Sequence, residues 1–183
     1  MVAPRPLAVA SVHPLRALGA HTFAHANGSL AQHLCNTAQL LDHWGNREAV
    51  CLAGLYHAVY GTDGITGALV GLRERGAIAA TIGTEAEALA YLYGACARDV
   101  FHPRIGTPQQ LRFADRFRGS EYAISERSLC DFCEITVANE IELARANERF
   151  RHKHRKALAR LFARMQGLVS GPAREAALAV FPE

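Results

Sequence analysis

Three side chains in this 183-residue chain sit where burial is costly unless it serves a purpose. His33 lies three residues after Leu30 and four before Thr37, so it shares their face of a helical pattern. His57 falls inside the nearly continuous apolar run from Cys51 to Tyr60. Glu140 is the third. At 100° per residue, Leu129, Cys133, Thr136, Leu143 and Ala144 all fall within about 60° of it. Burying such groups without partners costs roughly 1–3 kcal/mol each. A carboxylate in the middle of an apolar stripe needs a His, an Arg or a metal ion. Two histidines on consecutive helices with a carboxylate on a later one make a shared pocket, and the chemistry open to it is acid–base catalysis or metal ligation. Asn139 stands at the edge of the same face, and His25, on the approach to the first helix, can join them.

The elements that must position these residues are helices. Ser29 reads as an N-cap with Gln32 completing a capping box, and the helix it starts carries Leu30, Leu34, Thr37, Leu40, Leu41 and Trp44 on one face before Gly45 stops it. A second helix over Arg47 to Tyr60 is apolar almost all round, which predicts a central, buried position. Gly61 to Gly76 is broken by glycines and reads as a loop with a short turn of helix. Further helices are expected over Thr84 to Val100, Pro108 to Phe117, Ser125 to Ala146, Arg151 to Gln166 and Ala173 to Val180, with Ser125 and Ser128 competing to cap the longest. No run of alternating β-branched residues stands out, so the expected fold class is all-α.

Composition narrows the function. Half the chain is apolar, 20% is charged and the mean hydropathy is zero, which excludes a disordered protein. No unbroken apolar window of about 18 residues exists, so no transmembrane helix is expected. The apolar patch Leu7 to Val12 ends at His13-Pro14 without a basic n-region, so no signal peptide is expected either. A net charge of +3 is too mild to imply nucleic acid. Five cysteines, mostly in apolar helical patterns, fit reduced thiols and a cytoplasmic location, and the heavy use of Ala, Gly and Arg fits a bacterial source.

Ser29-Leu-Ala-Gln-His33-Leu followed by Ala53-Gly-Leu-Tyr-His57-Ala58 resembles the first two motifs of the HD superfamily of metal-dependent phosphohydrolases. In that superfamily one helix supplies a histidine, the next a His-Asp pair and a late helix an aspartate. Val137-Ala138-Asn139-Glu140 stands where the late motif would fall. The chain is similar more closely to a bacterial HD-like family of unknown function, through His25-x-x-Gly28-Ser29-Leu30, His33-Leu34, Trp44-Gly45 and His57-Ala-Val-Tyr60-Gly61-Thr62, with Asp115-Arg116 and Ala138-Asn139-Glu140 as later marks. The resemblance covers residues 20–147 and implies a single HD-like helical bundle. It divides the chain into an N-terminal extension (1–24), an HD-like core (25–150) and C-terminal helices packing on that core (151–183).

The departures from that pattern shape the functional expectation. Ala58 replaces the metal-bridging aspartate and Asn139 the last one, and a hard divalent ion wants carboxylate oxygens. Two readings stay open. Either His25, His33 and His57 hold one Zn or Fe ion, or no cofactor binds and the histidines form a polar pocket with Tyr60, Asp115 and Glu140. The expected enzyme acts on a small organic or phosphorylated molecule. His57 is its acid or base, and His33 orients His57 or polarises the substrate. Glu140 and Tyr60 assist, while Thr62, Asn139, Asp115 and Arg116 bind the substrate. A non-catalytic ligand-binding or interaction module is the alternative, and a homodimer stays open.

Two other signals are read as structural. Cys130-x-x-Cys133 lacks a second pair at zinc-finger spacing and a preceding strand, so it is expected to be helix-buried. Arg145 to Arg164 holds eight of the twenty basic residues against Glu148 alone. Its stripe of Arg149, Lys153, Lys156, Arg160 and Arg164, with Leu158, Leu161, Phe162 and Met165 opposite, reads as the solvated face of an amphipathic helix.

Overall fold

The computed structural model describes residue 15 and residues 18–20, 24–25 and 28–182. The side chains of residues 24, 25 and 28 lie outside the described set, as does the apolar patch at residues 7–12. A two-residue pairing of Ala24–His25 (β1) with Gly28–Ser29 (β2) leads into α1, Leu30–His43. The Ser29 hydroxyl accepts from the Gln32 N–H at 3.3 Å and caps α1 as its position foretells, while the Gln32 side chain turns instead to Asn36. Gly45, with φ of 80°, follows the last turn.

α2 spans Glu48–Tyr56 and is buried on nearly every side, as its continuous apolarity requires. It packs against α1 so closely that a Cβ on Gly54 would sit 2.3 Å from Leu41 Cδ1. The helix ends four residues short of the expected Tyr60, which leaves His57 at its C-cap and Val59–Tyr60 in a turn. Gly61 follows with φ of 78°, and a Cβ there would meet Gly67 O at 2.6 Å, so this corner accepts only glycine.

A 3-10 turn, Leu72–Glu74, runs into α3, Arg75–Ile82, a helix the reading of the sequence leaves unassigned. α4 covers Thr84–Ala95. The expected helix over Thr84 to Val100 is in fact broken at Cys96, which forms a β-bridge with Asp115, and resumes as the short α5, Arg98–Phe101, continued by a 3-10 turn at His102–Arg104.

The helix expected over Pro108 to Phe117 does not form. Arg112–Asp115 (β3) pairs antiparallel with Ser120–Ala123 (β4), Phe113 opposite Tyr122 and Asp115 opposite Ser120. The hairpin turn is fixed by Asp115, whose Oδ1 accepts the N–H groups of Phe117 at 2.9 Å and Arg118 at 3.0 Å, and by Gly119 at a φ of 62°. Arg104 and Arg112 both donate to Glu121 and tie the strands together. An aspartate whose side chain satisfies two N–H groups removes them from any helix.

α6 is the long helix, Glu126–Ala146, capped by Ser125, whose hydroxyl accepts from the Ser128 N–H. α7, Glu148–Met165, starts at an Asn147 cap, three residues before the expected Arg151, and α8 spans Gly171–Val180. α7 buries Leu158, Leu161, Phe162 and Met165 against the bundle, and Arg149, Lys153, Lys156, Arg160 and Arg164 are exposed. α6 is the axis of the fold, contacting α1, α2, α4, α7 and α8.

Its buried carboxylates explain how. Asp131 pairs with Arg47, and Glu134 accepts from Asn46 and from the Ser170 N–H. Glu142 accepts from His33 and Asn36. Asp131 and Glu134 thus tie the α1–α2 corner to α6, Glu134 also holds the start of α8, and Glu142 holds α1. The five cysteines are free thiols, with Cys133 buried and Cys130 partly so. No helix among the described residues is long and apolar enough to cross a membrane.

Candidate functional site

A cavity of about 190 Å³ opens where α1, the end of α2, α5 and α6 converge. His33, His57, Thr62, Asn139 and Glu140 border it, as does Arg98. Leu30, Leu69, Leu143 and Phe150 supply apolar wall. The structure therefore brings both sequence-identified histidines together with the late-helix pair, from segments more than eighty positions apart.

His33 is 2% exposed and sits in the first turns of α1. Its Nδ1 is hydrogen-bonded to Glu142 Oε2, and its Nε2 lies 3.0 Å from Asn139 Oδ1. Both ring nitrogens are thus engaged, one by a carboxylate and one by a carboxamide. Asn139 Nδ2 donates in turn to Glu140 Oε1 at 3.1 Å. Asn139 and Glu142 lie three residues apart on α6, which is the spacing that lets them face one ring.

His57 is likewise 2% exposed, its ring edge-on to His33 with centroids 5.2 Å apart and edge-on to Tyr93 at 5.0 Å. Its Nδ1 donates to the Gly54 carbonyl at 2.7 Å. A carbonyl only accepts, so the proton of the neutral ring is on Nδ1 and the lone pair is on Nε2. The early end of α2 creates this bond, because it places the imidazole beside the last helical carbonyls.

Glu140 is held above the ordinary carboxylate range by burial, which the nearby Arg98 opposes. Arg98 Nη1 lies 3.8 Å from Glu140 Oε1, beyond hydrogen-bond reach. The arginine is held in place by its own backbone N–H, which donates to Asp63 at 2.9 Å, and by Nη2, which donates to the Tyr93 hydroxyl at 3.0 Å.

Three sequence-identified residues are not at the cavity. The Tyr60 hydroxyl donates to Glu87 at 2.8 Å, in a cluster completed by two bonds from Arg75 to the same carboxylate. Asp115 holds the hairpin turn and accepts from the Tyr91 hydroxyl at 2.9 Å. Arg116 donates to the Gly94 carbonyl and is not paired with Asp115, whose cation is Arg118, 3.7 Å away. These three stabilise the fold.

Arg98, Glu142 and Tyr93 are the site residues that sequence reasoning missed. Glu142 had a signal in its i,i+3 relation to Asn139. Arg98, on a four-residue helix, had none.

The residues present do not fit the metal centre that an HD scaffold implies. Ala58 offers no ligand, Asn139 offers a neutral amide, and His33 would have to break a hydrogen bond to offer either nitrogen. Among the described residues no three His, Cys, Asp or Glu side chains form a group able to hold a metal ion. The side chain of His25, the remaining candidate ligand, lies outside the described residues.

Residues 14–98 match the family described as a domain of unknown function (DUF6817). No curated protein matches the chain. The fold is similar to a solved structure described as a metazoan ortholog of SpoT that hydrolyzes ppGpp and plays a role in starvation responses. The two share 10% identity with a TM-score of 0.62, and the likeness covers 99% of this chain and 97% of that one. That likeness defines the fold, an all-α, HD-like helical bundle.

Proposed function

We propose that the His33–His57 cavity is the active site of a degenerate HD-type enzyme that acts on a small organic or phosphorylated molecule by histidine-centred acid–base chemistry, without a resident metal. The observation that carries this reading is the bond from His57 Nδ1 to the Gly54 carbonyl, which fixes the tautomer and makes Nε2 the basic atom of a ring bordering the cavity.

The other residues take complementary parts. Glu140, kept protonated more readily than a surface carboxyl, is the acid. His33 is a positioning residue, clamped by Glu142 and Asn139 so that its ring buttresses His57 edge-on. Thr62 and Asn139 offer hydrogen bonds to the substrate at the rim and floor. Arg98 supplies the fixed positive charge that an anionic substrate needs.

A turnover screen over small phosphorylated and carboxylated molecules tests the reading, with wild type beside His57→Gln. Turnover that disappears in His57→Gln while helicity and melting temperature stay close to wild type is the expected result. Binding without turnover in the wild type would favour a ligand-binding module instead. A large loss of stability in the variant would mark His57 as a core residue.

A further inference from the structure

A second hollow of about 480 Å³ adjoins the first and shares Arg98, Glu140 and Phe150 with it. Its walls are the α5 segment, through Asp99, His102 and Pro103, and α7, through His154, Arg160 and Arg164. Cationic and imidazole groups outnumber the acids Asp99 and Glu140 there, whereas the first cavity is largely apolar around its polar floor.

Two features mark it as more than a surface crease. The guanidinium of Arg98 stands between the two hollows, and its only side-chain hydrogen bond runs from Nη2 to Tyr93, so the Nε and Nη1 N–H groups have no hydrogen-bond acceptor among the described residues. Separately, His102 Nε2 is buried with no hydrogen-bond partner among the described residues. An orphaned buried nitrogen such as His102 Nε2 is rare in folded proteins and points to a missing partner, while the partly exposed Arg98 guanidinium keeps donors open to the hollows. The open N–H groups of Arg98 call for an oxygen acceptor carrying negative charge, and His102 Nε2 calls for a hydrogen-bond partner of either kind.

We infer that this groove between α5 and α7 is an oxyanion subsite, which takes a phosphate or carboxylate carried by the molecule whose body lies in the His33–His57 cavity. The inference rests on the preceding reading of that cavity as a small-molecule site. Arg98 is the cationic residue that lines both hollows. Its planar fork of N–H donors matches the oxygens of either group, and Arg160 adds charge from the exposed side of α7. Arg164 is positioned by its bond to the Pro103 carbonyl, which links the two walls of the groove.

Calorimetric titration of the full chain at constant ionic strength tests this, with inorganic phosphate in one arm and succinate in the other. Saturable binding in either arm is expected, and the arm that binds identifies the oxyanion. That binding should weaken about tenfold or more in Arg98→Gln and in Arg160→Glu. It should persist in Arg149→Glu, an exposed position of α7 outside the groove, and in His57→Gln. Binding in neither arm overturns the inference, and so does equal weakening by Arg149→Glu, which would show diffuse charge attraction. Because Arg160 is exposed, its variant tests the groove even where Arg98→Gln fails to fold. Groove binding that survives while His57→Gln leaves turnover unchanged would remove the catalytic reading and support the subsite. His57-dependent turnover with no oxyanion binding would overturn the subsite alone.

Discussion

His33 Nδ1 is hydrogen-bonded to Glu142 Oε2 although 109 positions separate the two residues, and the contact joins the first helix of the bundle to its longest one. Glu142 also accepts from Asn36 Nδ2 at 3.1 Å, so one carboxylate satisfies two donors of α1. The same ring, through Nε2, meets Asn139, and Asn139 meets Glu140. The polar floor of the cavity is thus one connected chain, and its geometry depends on the α1–α6 contact.

Removing Glu142 should therefore be expensive. Glu142→Ala leaves His33 Nδ1 and Asn36 Nδ2 without their acceptor inside the bundle, and a loss of roughly 3 kcal/mol in urea unfolding is expected. Glu142→Gln keeps an acceptor oxygen and should lose clearly less. Equal stability of the alanine variant and wild type would mean that the buried pair is not formed in solution.

Close packing of α1 on α2 makes a second prediction. In Gly54→Ala the new methyl would sit 2.3 Å from Cδ1 of the fully buried Leu41, so that side chain must shift inside the core. A loss of about 1–3 kcal/mol is expected. Leu41→Ala in the Gly54→Ala background should cost less than it does in wild type, since it removes the clash, and a double-mutant cycle measures the difference.

Acid sensitivity follows from His102. Burial, and then the positive charge of Arg98, lower its pKa from 6.5 to about 4. The unfolded chain therefore takes up this proton before the folded one does. The stability linked to His102 is fully present above pH 6.5 and is lost as the pH falls from there towards 4. Urea unfolding at pH 7 and pH 4.5 should show wild type losing more stability than His102→Gln over that interval. Parallel losses would contradict the account.

Much of the fold was legible because its signals are local. Ser29 and Ser125 cap α1 and α6 through their own hydroxyls, and the all-round apolarity of Glu48–Tyr56 foretold its burial. The β3–β4 hairpin was not legible, since strands of four residues are too short to show a period and Asp115 acts through its side chain. At the site, His33, His57, Asn139 and Glu140 were visible as polar residues in apolar faces. Tyr60 and Asp115 entered through the motifs of the resemblance, yet their side chains pair with Glu87 and Tyr91, away from the cavity. Arg98 escaped notice because a cation on a four-residue helix looks like any surface arginine until the tertiary fold places it against Glu140.

The central claim is that this HD-like cavity works through histidine and carboxyl groups without a resident metal. Metal content by elemental mass spectrometry tests it most directly, on protein purified without a His-tag or chelator, wild type beside His33→Ala and His57→Ala. The account predicts no stoichiometric zinc, iron or manganese in any of the three. Stoichiometric metal in the wild type that disappears in both variants would contradict it, and would assign the histidines to a metal centre.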